Sequence, residues 1–136
     1  MAGTRYLSVL DVEALHAFIM EKTGDPPSSF RDRALLEAAV IQPQMAAYYG
    51  GADIIEQAAI LAVSISQAQA FILGNKRTAF LAADVFLRVN GWILVADPLE
   101  AARQLEAVAT SEGSIAEASA RFTHWLRGAV RRTDQG

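Results

Sequence analysis

Between Ala58 and Leu73 the chain runs through its most apolar stretch, interrupted by Ser64, Ser66, Gln67 and Gln69. A membrane span needs about 20 predominantly apolar residues, and this run is shorter and repeatedly broken by polar side chains. It reads as a helix buried in a protein core, because a helix apolar on most of its faces has to be covered by other elements. Just upstream, Gly50-Gly51 marks a break and Asp53-Ile54-Ile55-Glu56 has the spacing of a helix start, with Asp53 and Glu56 as a cap.

The rest of the chain supplies helices to cover it. Ser8-Val9-Leu10-Asp11 is a capping-box pattern, and Val12, Leu15, Phe18 and Ile19 follow on one helical face until Gly24 and Pro26-Pro27 end the segment. Asp32 to Gln42 gathers Leu35, Leu36, Ala39 and Val40 and stops before Pro43. Beyond Gly74-Asn75 a helix is expected from Lys76 to Asn90, closed by Gly91. Asp97-Pro98-Leu99-Glu100 places a cap, a proline and a carboxylate where a helix start favours each, and this helix is expected to fray at Ser111-Glu112-Gly113. Ser114-Ile115-Ala116-Glu117 caps a last helix carrying Phe122, Trp125 and Leu126, with Arg127, Arg131 and Arg132 near the negative end of its dipole. Only Gly91 to Val95 and Tyr48 to Gly51 invite a strand reading, and both are too short for a sheet. The expectation is an all-α fold of six helices around one core, with residues 1–136 as a single domain.

Composition narrows the function. Just over half of the 136 residues are apolar, enough for a chain of this size to bury roughly two-thirds of its unfolded surface without staples. The absence of cysteine excludes disulfides, thiol catalysis and cysteine-based metal sites. A net charge of −3 argues against a generic nucleic-acid binder, which usually carries a basic excess. Met1 to Tyr6 lacks the apolar core of a secretion signal, so a soluble, cytoplasmic protein with no direct nucleic-acid or membrane partner is expected.

The segment that carries chemistry is Gln69-Ala70-Phe71-Ile72-Leu73-Gly74-Asn75-Lys76-Arg77-Thr78-Ala79. It reads as a helix, a tight Gly-Asn loop and a second helix that opens with two cations. Free N–H groups at a helix start attract anions, whereas the dipole disfavours cations there. Lys76 and Arg77 make sense at that end if a phosphate sits between them and the backbone. Gly74 would let the backbone approach closely, and Asn75 could donate an amide hydrogen bond or turn left-handed. On physics alone a second reading stays open, a helix turn with two solvated cations.

This segment resembles the core motif of the Fic/Doc (Fido) family, His-x-Phe-x-(Asp/Glu/Asn)-(Gly/Ala)-Asn-(Lys/Gly)-Arg-Thr. Phe71, Gly74, Asn75, Lys76, Arg77, Thr78 and Ala79 match in order, and lysine after the asparagine points to the Doc (death-on-curing) branch. Similarity extends to Leu7-Ser8 through His16, Arg31 through Glu37 with Pro43-Gln44, Phe86 through Gly91, and Trp125-Leu126. The resemblance implies a compact six-helix Fido domain with room for a short β-hairpin flap. It also implies a nucleotide-dependent transfer of phosphate or AMP onto a protein hydroxyl, by a toxin of a bacterial type II toxin–antitoxin pair. ATP would be the cofactor and a translation factor such as elongation factor Tu the substrate. The partner would be an antitoxin whose disordered C-terminal segment folds onto the toxin as an amphipathic helix.

Carried over by position, the family's general base falls on Gln69 and its magnesium-binding acid on Leu73. Gly74 and Asn75 would line the anion hole, Lys76 and Arg77 would hold phosphates, Thr78 would help cap the helix and Phe71 would anchor the loop. Gln69, Asn75 and Arg77 are thus the candidate catalytic positions, and Gly74 to Thr78 the cofactor-binding ones. Glutamine has no proton-accepting group near neutrality, and losing a positioned base typically costs about 10²–10⁴ in rate. Leucine cannot ligate a hard cation, so magnesium could enter only with the nucleotide and its water. These departures imply an impaired enzyme or, alternatively, a pseudoenzyme that binds nucleotide or peptide without turnover. Deliberate inactivation is a third reading, and it requires a parent with histidine and an acid at the two positions.

Other polar residues read as structural. His16 lies one position beyond the apolar face of the first helix and is expected to be a partly exposed helix histidine, with a place at the groove's border as the alternative. His124 reads as a surface residue. Asp84 is a helix carboxylate, and Asp32 between Arg31 and Arg33 reads as a helix start with local ion pairing, a groove role for Arg31 being the lesser alternative.

Overall fold

A computed structural model describes residues 3–24, 30–110 and 114–133, apart from the side chains of residues 98 and 108–110. Helices α1 (Val9–Thr23), α2 (Arg33–Val40), α3 (Gln42–Gly50), α4 (Ile54–Ala68), α5 (Asn75–Val89), α6 (Pro98–Thr110) and α7 (Ile115–Arg127) are joined by strands β1 (Trp92–Leu94) and β2 (Val130–Arg132). The segments Pro26-Pro27 and Ser111 to Gly113, read as helix ends, lie outside the described residues.

The starts of the helices are where local chemistry puts them. Ser8 Oγ accepts from Asp11 N at 3.1 Å while Asp11 Oδ2 accepts from Ser8 N at 2.8 Å. The same reciprocal pair joins Asp53 and Glu56 ahead of α4. Asp32 accepts from Ala34 N, Asp97 from Leu99 N and Ser114 from Glu117 N, opening α2, α6 and α7. Each satisfies an N–H that the helix itself cannot.

The apolar run forms α4, buried along nearly its whole length and packed against α2, α3, α5, α6 and α7. Leu61 and Ile65 of α4 meet Val12, Leu36, Phe86, Leu87, Phe122 and Leu126 in one core. Face assignments hold for Val12 and Ile19 in α1, but Phe18 points outward and lies under Lys22 Nζ, 5.4 Å from the ring centroid.

The six helices read from the sequence are present, and α3 joins them. Pro43 does not end the helical region but sits in the first turn of α3, where its missing N–H would have had no helical partner. Tyr48 and Tyr49 belong to that helix, not to a strand, and Gly51 closes it in the left-handed region at φ 67°.

Trp92 to Leu94, judged too short for a sheet, pairs antiparallel with Val130 to Arg132, Leu94 opposite Val130 and Trp92 opposite Arg132. The small β element is therefore closed by segments that flank α6 and α7, not by a hairpin turn. Arg131 and Arg132 lie in β2, beyond the end of α7. Among the described residues, no helix is long and apolar enough to cross a membrane.

Candidate functional site

The site begins where α4 ends. Gln69 follows the last helical residue in the left-handed region, φ 49° and ψ 45°, a conformation uncommon for a side chain other than glycine or asparagine. Arg31 holds it there: its Nε donates to the Gln69 carbonyl at 2.8 Å and its terminal nitrogen to the Ala68 carbonyl at 3.4 Å. A cation on the last carbonyls of a helix is also favoured by the dipole. The backbone N–H groups of Arg31 and Asp32 both donate to the Ala70 carbonyl, at 2.7 and 3.1 Å. The entry to α2 is thus tied to the exit of α4, so Arg31 does reach the site, through the backbone.

The loop that follows is pinned from beneath. Phe71 is buried and stacked on both Phe30 and His16 of α1, with the His16 ring centroid 3.7 Å away. His16 Nε2 lies 2.8 Å from the Leu73 carbonyl oxygen. A carbonyl only accepts, so Nε2 carries the proton in this contact. His16 is therefore buried under the loop rather than partly exposed. Asn75 grips the loop from its far end: Oδ1 accepts from Phe71 N at 3.0 Å and Nδ2 donates to the Phe71 carbonyl at 2.8 Å. Gly74 adopts φ 85°, a conformation that favours glycine, and a Cβ there would press on Met20 Sδ at 3.2 Å.

At the other end of the loop α5 opens without a side-chain cap, because its N-cap is Gly74, and its first turn holds no acid. The orphan N–H groups of that turn form a partial positive charge. Lys76 and Arg77 add two cations. Lys76 Nζ approaches Glu106 at only 3.6 Å with both side chains half exposed, a contact worth little. The Arg77 side chain makes no hydrogen bond or ion pair among the described residues.

These groups line a cavity of about 450 Å³ bounded by Met20, Ser66, Gln69, Ile72, Leu73, Gly74, Asn75, Lys76 and Arg77. Lys76 and Arg77 also border a more apolar cavity of about 420 Å³ walled by Phe18, Ile19, Phe80, Leu81, Ala102 and Leu105. A larger cavity of about 640 Å³ lies between α2, α3, α4 and α7, but among the described residues no ionisable side chain lines it. The cationic cavity is the one equipped for chemistry, despite its smaller size.

Most of the sequence-predicted positions therefore converge here: Gln69, Gly74, Asn75, Lys76 and Arg77 share one cavity. Asn75 departs in its role, since its side-chain amide is committed to Phe71, which leaves its backbone at the first position of α5. Thr78 does not cap α5; its side chain is fully buried with no partner for Oγ1 among the described residues, and its N–H returns to the Gly74 carbonyl. His124 is exposed, as expected. Asp84 pairs with Arg88, and Arg33 reaches Glu13 and Glu37 instead of Asp32. Arg127 leaves its own helix end to pair with Asp53 at 2.8 Å and Glu56 at 3.5 Å, across at the start of α4. Burial alone would raise the Asp53 carboxyl, but the Glu56 N–H and the Arg127 guanidinium together bring it below the ordinary carboxylate range.

Chemically the arrangement can hold an oxyanion. It offers no titratable base at Gln69, and the nearest imidazole, His16, has Nε2 committed to the loop. Among the described residues no three His, Cys, Asp or Glu side chains come together to hold a metal, and Leu73 presents an exposed hydrocarbon at the position in question. The residues present do not fit a protein-held magnesium ion.

A family model described as the Fic/DOC family matches residues 6–87, from the approach to α1 nearly to the end of α5. A curated relative, Toxin Doc of Mycolicibacterium smegmatis, is 45% identical over 71 residues, which cover 49% of this chain and 53% of the relative. The matched region thus spans about half the length of that relative. With the loop, the start of α5 and helices α1 to α4 inside the matched region, the chain belongs to the Fic/Doc family.

Proposed function

We propose that this chain is a Doc-like toxin component of a bacterial toxin–antitoxin pair, able to hold ATP by its phosphates but impaired in group transfer. The observation that carries the reading is Arg77, left without a partner among the described residues beside Lys76 at an uncapped helix start. A planar guanidinium, a lysine ammonium and aligned N–H groups together suit a phosphate chain. Magnesium would come with the nucleotide, held by phosphate and water.

The two replaced positions set the expected level of activity. Gln69 lines the cavity and can orient a hydroxyl only by hydrogen bonding; it cannot take the proton that the hydroxyl must lose. Leu73 supplies no charge compensation. The acceptor in this reading is a protein hydroxyl, with elongation factor Tu the first to try, and the antitoxin partner covers the toxin with a segment that folds on binding. A cytoplasmic location goes with such a target. The alternative is a pseudoenzyme serving as a nucleotide- or peptide-binding module, which the loss of both base and metal ligand favours.

The test is to incubate the protein and its Gln69→His/Leu73→Asp double variant with α- or γ-labelled ATP and elongation factor Tu. Labelling by the double variant, with little from the parent, supports a disabled transferase. Binding of ATP with no labelling by either protein favours the binding module. Robust labelling by the parent overturns the impairment.

A further inference from the structure

Ser66 lies in α4, one helical turn before Gln69, and lines the same cavity as Lys76 and Arg77. The residue is 5% exposed, and its Oγ is buried with no hydrogen-bond partner among the described residues. A buried hydroxyl without a partner is unfavourable, so such groups in folded proteins are nearly always satisfied. A helical serine or threonine has a ready local remedy in the carbonyl one turn back. Thr123 uses it in this protein, donating to the Ser119 carbonyl at 2.7 Å, and Ser66 does not.

Among the described residues, three other buried hydroxyls are also unpartnered, and their positions separate them from Ser66. Ser64 and Ser119 border the cavity that has no ionisable lining among the described residues, and Thr78 lines none of the cavities described above. Ser66 alone among the four stands on the wall of the cationic cavity, where an anionic ligand would bring the acceptor it lacks.

We propose that the Ser66 hydroxyl is a direct ligand of the oxyanion bound at the start of α5, donating its hydrogen bond from the α4 wall. This inference rests on the anion-binding reading of the cavity and adds a contact to it. The phosphate group is then gripped from two helices: by N–H groups, Lys76 and Arg77 on α5, and by Ser66 on α4. No metal ion is required in this set, which suits the leucine at position 73. The ligand class is a phosphate monoester or the polyphosphate of a nucleotide, and no bond is made or broken in holding it.

The experiment is calorimetric titration of the full chain with ATP, and separately with inorganic pyrophosphate, in the presence of a chelator. The proteins compared are the parent, Ser66→Ala and Arg77→Ala, each also melted without ligand. A hydrogen bond to a charged group is strong enough that Ser66→Ala should weaken binding of both ligands roughly tenfold. It should melt no lower than the parent, because the hydroxyl it removes has no partner to lose. Unchanged affinity in Ser66→Ala beside collapsed affinity in Arg77→Ala overturns the role of Ser66 and leaves the anion site standing. A lower melting temperature with intact affinity also overturns it, by showing a structural hydroxyl. Failure of the parent to bind either ligand overturns both readings together. Should the alanine variant not fold, Ser66→Cys, close in size and a weak donor, is expected to show the same loss.

Discussion

The imidazole of His16 lies flat against the ring of Phe71, their planes 5° apart, while its Nε2 donates to the carbonyl oxygen of Leu73 at 2.8 Å. One side chain of α1 therefore supports both the buried anchor of the loop, Phe71, and the backbone of Leu73. The loop carries Gly74 into a left-handed turn, and the direction of α5 depends on that turn. His16 belongs to the scaffold of the site, and its burial leaves the cavity without a free imidazole.

His16→Ala should cost about 2–4 kcal/mol, combining the void left against Phe71 with an unpaired Leu73 carbonyl. Urea denaturation measures it. A cost below about 1 kcal/mol would mean that the stack carries little of the loop's order. Affinity for ATP should fall as well, because the start of α5 loses its support.

Asn75→Ala should destabilise by about 1–3 kcal/mol, since both Phe71 backbone groups lose their partner in a partly buried setting. Asn75→Asp is the sharper probe. It can still accept from Phe71 N but places a carboxylate oxygen against the Phe71 carbonyl, so thermal melting should show it well below the parent. Equal melting of parent and aspartate variant would contradict the clamp.

Gln69→Gly should be more stable than Gln69→Ala by about 1 kcal/mol, because only the alanine pays the left-handed backbone penalty at φ 49°. Chemical denaturation of the pair isolates the backbone term, since both substitutions remove the same amide. Equal stabilities would mean that residue 69 is not left-handed in solution.

The Asp53 carboxyl sits below the ordinary range once the Glu56 N–H and Arg127 outweigh its burial. A depressed folded-state pKa stabilises above the unfolded value and loses that contribution as pH falls through the folded one. The stability cost of Asp53→Asn should therefore be full near pH 7 and shrink below about pH 4. The pair is largely solvent-exposed, so the cost should stay under about 1 kcal/mol. Thermal melts of both proteins across pH 3–7 read it, and a cost that does not change with pH would remove the charge from the explanation.

What was legible in the sequence follows from how far each interaction reaches. Ser8 with Asp11, and Asp53 with Glu56, act over three residues, so the helix starts could be read directly. The burial of α4 followed from composition along one segment. Pro43 misled because proline ends one helix and begins the next equally well, and the chain turns between α2 and α3 with only Ile41 between them. Strands β1 and β2 depend on a pairing across two helices, which three-residue runs do not announce. The motif placed Gln69, Gly74, Lys76 and Arg77 at one cavity. It did not show that Arg31 would hold the end of α4, that Asn75 would spend its amide on Phe71, or that His16 would lie under the loop. Those contacts join residues brought together only by folding, apart from the Asn75 clamp, whose span of four residues a turn-based reading could have found. Ser66 carried only one hint, its place a turn before Gln69.

The most direct test of the central claim, an anion site built on Arg77 and the start of α5, is calorimetric titration of ATP into the protein and into Arg77→Ala, with and without magnesium. The account predicts binding by the parent in both conditions and at least tenfold weaker binding by the variant, at a similar melting temperature. ATP binding that is absent from the parent, or unchanged in Arg77→Ala, would contradict it.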